Sequence, residues 1–259
     1  MLNIILIKGT EITRSMPPGH FNALFLDDVN PLDKEDPMAQ IEAATKQGAF
    51  VFWNHPGWAS QQPDTTMWWD FHTTLLENGW LHGIEVANDG EWYPVVMDWC
   101  KEKKLTAFAN SDIHPPVDYK YDLYLANNHR PMTLVFAKDR TKEGVREALF
   151  SRRTIGFTGE QLIGPEDLIL ELFYASVKIH ATYYTGEHRG KLINNRELEN
   201  PTDLTFILEK EEDGKQRQRI ILNPHSLVVL STSVEGEELR YRLVNCWTGS
   251  KEHPQVQFK

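Results

Sequence analysis

A change of grammar part-way along the chain constrains its fold more than anything else in it. From residue 2 to about residue 160, short apolar runs alternate with helical stretches, and the strand candidates are 3–8, 22–26, 50–53, 83–86, 106–109 and 132–137. The helix ends between them are readable. Asp36-Pro37 offers an N-cap followed by proline at the first helical position, and Gly48 closes that helix. Residues 67–77 read as a second helix, ended by Asn78-Gly79. Residues 91–104 read as a third, with Lys101, Lys103 and Lys104 at its carbonyl end. Thr141 opens a fourth that runs to about Phe150. Strands alternating with helices build a mostly parallel sheet, either open or closed into a barrel.

After residue 170 the helices stop. Segments 177–182 and 204–208 alternate with period two, and further strands read at 219–222, 227–231, 239–244 and 255–258. Turn signals separate them at Thr185-Gly186, Asp213-Gly214, Asn223-Pro224, Glu235-Gly236 and Thr248-Gly249. Short, closely spaced strands of this kind build a sandwich. The expected organisation is an α/β domain over 1–165 and a small all-β, sandwich-like domain over 170–259, linked around 160–172.

Composition narrows the function classes. There are 37 acidic and 27 basic residues, a formal charge of −10, which argues against non-specific nucleic-acid binding by phosphate neutralisation. A small phosphorylated substrate stays compatible with that charge if a metal supplies the positive field. The two cysteines, Cys100 and Cys246, lie far apart and form neither a disulfide framework nor a zinc motif; both read as core thiols. The longest apolar run near the start, residues 2–7, is too short for a membrane span of about 20 residues and lacks the basic flank of a signal peptide. It reads as a buried strand, and a chain opening inside a strand looks cut, so compartment is left open.

The polar residues that bear chemistry fall at strand ends, which is where parallel sheets and barrels gather reactive groups. They are Glu11, His20, His55, Asp112 and His114. On an extended segment the D-x-H spacing of Asp112 and His114 points both side chains to one side. Imidazole nitrogen with carboxylate oxygen suits zinc, manganese or iron. Arg14, and His129-Arg130 after the loop 115–128, are candidate substrate contacts. For Arg14 the competing reading is pairing with Asp27 or Asp28, and for the loop it is an ordinary surface role. His72 and His82 read as packed or surface histidines, and His180, His188 and His225 share no ligand spacing.

Glu11, then Gly19-His20-Phe21-Asn22-Ala23-Leu24, Asn54-His55-Pro56-Gly57 and Ser111-Asp112-Ile113-His114, taken in that order, resemble the PHP superfamily, the polymerase and histidinol phosphatase group of metal-dependent phosphoesterases. The resemblance covers roughly residues 1–165. It implies a distorted (β/α)7-type barrel, here lacking its first strands, that holds up to three divalent transition metals. It implies Glu11 as a carboxylate bridging two metals, His20 and His55 as ligands of the second, Asp112 as a ligand of the first and His114 of the third. Asp112 and Glu11 become the catalytic candidates, and the expected activity is hydrolysis of a phosphate ester by a metal-activated water. The family's opening His-x-His is absent, so fewer metals are expected in this chain, which is read as a piece of a longer protein. The alternatives are a non-catalytic binding or scaffold protein with a vestigial metal site, and a related barrel hydrolase acting on amides.

Overall fold

The computed structural model describes residues 4–121, 129–188, 191–212, 215–232 and 239–258. The turn signals at Asp213-Gly214 and Glu235-Gly236, and residues 122–128 of the loop, lie outside the described residues. The chain divides into two compact units: Met1–Gly159 with Ile163–Pro165, and Glu160–Leu162 with Glu166–Lys259. Among the described residues no helix is long and apolar enough to cross a membrane.

In the first unit, β1 (Gly9–Ile12), β2 (Phe21–Leu24), β3 (Phe50–Trp53), β4 (Gly83–Asn88), β5 (Glu91–Trp92) and β6 (Thr106–Asn110) form one six-stranded sheet. The connecting helices are α1 (Pro37–Thr45), α2 (Asp70–Glu77) and α3 (Pro94–Lys103). β3, β4 and β6 run parallel, while β2 is antiparallel to both β1 and β3. The end of β1, the start of β2 and the ends of β3, β4 and β6 therefore all emerge at the same edge. That edge carries the site.

Local chemistry sets the elements. The Asp36 carboxylate accepts from the Met38 and Ala39 N–H groups to start α1, with Pro37 at N1. Thr141 caps α4 (Lys142–Phe150) by accepting from Gly144 N. All four residues of β3 are buried, as a strand covered on both faces requires. On one face Phe52 stacks on Phe108 at 4.3 Å beside Phe50. On the other, Trp53 stacks on the His72 ring at 3.6 Å and lies parallel to Trp99 at 6.3 Å.

β7 (Met132–Val135) and β8 (Thr154–Thr158) form an antiparallel pair. Hydroxyl groups join them to β6: Thr133 Oγ1 accepts from Ala109 N and donates to Ala109 O, and Thr154 Oγ1 donates to Ala107 O. Among the described residues the main-chain sheets do not close on themselves, so a continuous barrel ladder is not drawn.

Three elements differ from the sequence expectation. The first strand is Gly9–Ile12, not 3–8: Ile4 and Leu6 are 79% and 86% exposed, and no strand pairs with residues 4–8. Glu91–Trp92 folds back on β4 as a hairpin, because Asp89-Gly90 is a turn dipeptide in which both residues take positive φ; the helix begins only at Pro94. A helix, α5 (Glu166–Ser176), follows β9 (Gln161–Ile163) where a linker was expected, and it buries Leu168, Ile169 and Phe173.

The second unit continues as β10 (Lys178–Ile179), β11 (Tyr183–His188), β12 (Lys191–Asn200), β13 (Phe206–Glu212), β14 (Lys215–Leu222), β15 (Ser226–Thr232), β16 (Leu239–Leu243), β17 (Cys246–Trp247) and β18 (Gln255–Phe258). β12 pairs with β10 and β11 along one side and with β15 along the other. The second sheet runs β14-β13-β16-β18. Leu198, Phe206, Leu208, Leu243 and Phe258 are fully buried in this unit, and Phe173 of α5 meets Phe206 edge-on at 5.1 Å. Cys100 and Cys246 are both buried and free.

Candidate metal centre

Glu11 lies on β1 opposite Asn22 of β2, and His20 sits just before β2. His55 follows β3 by two residues. The Asn54 N–H donates to His20 O at 2.9 Å, which clamps the two histidine-bearing segments together. The His20 and His55 rings meet edge-on at 4.7 Å, and His20 Nδ1 lies 3.1 Å from Glu11 Oε1. One carboxylate oxygen of Glu11 and one nitrogen of each histidine lie within 4.8 Å of one another. Among the described residues this is the cluster able to hold a metal ion.

The donor set fits a divalent transition metal, with two imidazoles and a carboxylate converging on one point. The electrostatics agree. Burial, reinforced by the neighbouring His20, pushes the His55 imidazole below its ordinary value, against the opposing pull of Asp112 and Glu11. His55 is thus neutral near pH 7, and a neutral imidazole is the ligand form. Its backbone has φ +27, a region few non-glycine residues occupy. Gly57 beyond it admits no side chain: a Cβ there would fall 2.5 Å from both Thr66 Oγ1 and the Tyr93 ring.

Other candidates are placed differently. Asp112 follows β6 by two residues, is exposed and has φ +46. His114 is exposed, with Nδ1 2.8 Å from Asp112 O. Neither is in the three-residue cluster. Both line a cavity of about 340 Å³ walled by Trp58, which His55 and Asp112 share with a second cavity of about 260 Å³ holding Glu11 and Arg130. The Arg14 guanidinium donates to Thr13 O, Lys34 O, Glu35 O and Gln40 Oε1 rather than to Asp27 or Asp28. His129 bonds Arg130 O and Gly159 O at 2.7 Å each and stacks on Phe157, a packed arrangement. Arg130 alone of those three faces the centre.

Sequence reading missed Glu85. This β4 carboxylate is 2% exposed, and it accepts from His55 N at 2.5 Å, Asn88 Nδ2 at 2.8 Å and Asn110 Nδ2 at 2.6 Å. Burial raises its pKa to about 7, offset in part by those three donors. A single carboxylate inside the apolar run 83–87 was the available signal. Asn54 was missed as well: its Nδ2 donates to Glu11 Oε1 at 3.3 Å, and its buried Oδ1 has no protein partner.

A crystal structure of a two-domain protein from Bacteroides vulgatus ATCC 8482 superposes with a TM-score of 0.89 at 41% identity, over 98% of this chain and 75% of that one. That protein is described as containing a predicted PHP-like metal-dependent phosphoesterase. The chain belongs to the PHP superfamily. The PHP-like unit is followed by residues 177–259, which match a domain family described as an Ig-like domain. No curated protein matches the chain.

Proposed function

We propose that the PHP-like unit hydrolyses a small phosphate ester at a centre of divalent zinc, manganese or iron held by Glu11, His20 and His55, with Asp112 and His114 supplying further ligands. The convergence of one carboxylate and two imidazoles at the sheet edge carries this reading. Bound there, a divalent ion supplies the positive charge that takes a phosphate oxygen and brings the pKa of water towards neutrality. The chain's own residues do the rest. Arg130, on the wall of the Glu11 cavity, pairs with the phosphate. Asp112, where the two cavities meet, stands where a proton is released or returned. Asn54 and Glu85 hold Glu11 and the His55 backbone in place. A chain of formal charge −10 needs such a cation to admit a phosphorylated substrate.

Purified protein stripped with a chelator is expected to lose hydrolysis of p-nitrophenyl phosphate and to regain it with Zn²⁺ or Mn²⁺, with about one tightly held ion per chain by elemental analysis. A chain that takes up neither metal overturns the reading.

A further inference from the structure

We propose that Glu85 is the positioning residue of this centre: its buried carboxylate ties together the three strand ends that present His55 and Asp112. The inference rests on the metal-centre reading above. One carboxylate reaches three chain segments. Its Oε2 takes the His55 N–H after β3 and the Asn88 amide at the end of β4, and its Oε1 takes the Asn110 amide at the end of β6. The segments lie 30, 3 and 25 residues from Glu85 in sequence, so none of these bonds is a by-product of local structure except that to Asn88. The bond to His55 is to the main chain, at a residue whose φ of +27 needs an outside constraint to persist. Asn110 stands two residues before Asp112, which also has positive φ. The carboxyl oxygens of Glu85 accept from three donors that line or adjoin the cavity. Glu85 lines the Glu11 cavity with its oxygens taken up by these three donors; it acts through His55 and Asp112, as groups behind a metal's ligands do.

The test compares Glu85→Leu, which fills the space without accepting a hydrogen bond, with Glu85→Gln. In the latter the amide oxygen, placed where Oε2 stands, still accepts from His55 and Asn88, and the Asn110 amide can turn to offer its oxygen to the new N–H. Expected are a loss of Zn²⁺ affinity of roughly ten- to a hundredfold for Glu85→Leu, with a shifted Co²⁺ visible spectrum. Glu85→Gln should stay within about threefold of wild type, with an unshifted spectrum. A crystal structure of metal-free Glu85→Leu should show His55 displaced from Glu11 and His20. If Glu85→Leu does not fold, Asn110→Ala, which removes one of the three bonds, is expected to weaken Zn²⁺ binding more than Glu85→Gln does. The proposal is overturned if Glu85→Leu keeps the wild-type triad geometry and affinity, or if Glu85→Gln loses as much as Glu85→Leu. A wild-type chain that binds no metal counts against the metal-centre reading alone, and the metal-free structures then decide the role of Glu85.

Discussion

Glu11, His20 and His55 rise from strands β1 to β3, beside fully buried Phe21 and Trp53, whereas Asp112 and His114 stand on an exposed segment after β6. Side-chain and main-chain bonds hold the first group from several directions: Glu11 by Asn54, His20 by Gln61 and the Asn54 N–H, His55 by Glu85. The second group is held mainly by its own backbone, with His114 bonded to Asp112 O. The donors fixed by neighbours stand converged, and Asp112 and His114 stand apart from them; under the proposed function an ion would have to draw that second pair in.

This contrast can be broken by measurement, beginning with the aromatic floor. Trp53→Ala removes a fully buried ring stacked on His72, and the expected loss is about 3–5 kcal/mol of unfolding free energy by denaturant titration. A loss below 1 kcal/mol would mean that the triad does not stand on a rigid floor. Acid probes the same floor. Burial lowers the His72 imidazole to about 4, opposed by its hydrogen bond to Pro18 O. The unfolded chain, with an ordinary value near 6.5, takes up the proton first. The stabilisation is therefore complete above pH 6.5 and is lost as pH falls towards 4. It amounts to about 3 kcal/mol over that window. Glu85 runs the other way, being raised to about 7, so the comparison must be wild type against His72→Phe, whose stability difference should shrink by that amount between pH 7 and pH 4.

Ligand substitutions come next. Glu11→Ala is expected to weaken Zn²⁺ binding about a hundredfold, about 2.8 kcal/mol by calorimetry. Asp112→Ala should weaken it less than about tenfold. Equal losses would erase the distinction between the two groups. The smallest effect belongs to His114→Ala, within about threefold in Zn²⁺ affinity; a larger loss would show that standing outside the converged cluster does not limit its share in binding.

Much of the fold was legible because local chemistry announced it. Asp36-Pro37, Thr141 and the apolar runs at 50–53 and 106–109 act through their immediate neighbours and appear as read. The hairpin strand Glu91–Trp92 reads as the start of a helix, because Pro94 and the lysines fit a longer one, and the preceding Asp89-Gly90 turn decides otherwise. The run at 2–7 looked buried because its residues are apolar, although burial depends on a partner strand that residues 4–8 do not have. In the candidate site, Glu11, His20 and His55, which the fold brings together, were readable from strand-end positions and motif order. Their supporting groups were not. Glu85, Asn54 and Asn110 make bonds across 30, 43 and 25 residues, and nothing in a one-dimensional pattern says which buried amide meets which carboxylate.

Those long separations also set the order of events. Glu11 and Asn54 become neighbours only once β1, β2 and β3 have paired, and Glu85 and Asn110 only once β4 and β6 have, so no short stretch of the unfolded chain holds the cluster. An ion at the Glu11, His20 and His55 centre is then a ligand of the native state alone. It raises the unfolding free energy by an amount that grows with the logarithm of its free concentration over its dissociation constant. If the proposed centre takes up an ion, metal supply in the surrounding medium would control how much of this protein is folded, quite apart from any reaction it carries out.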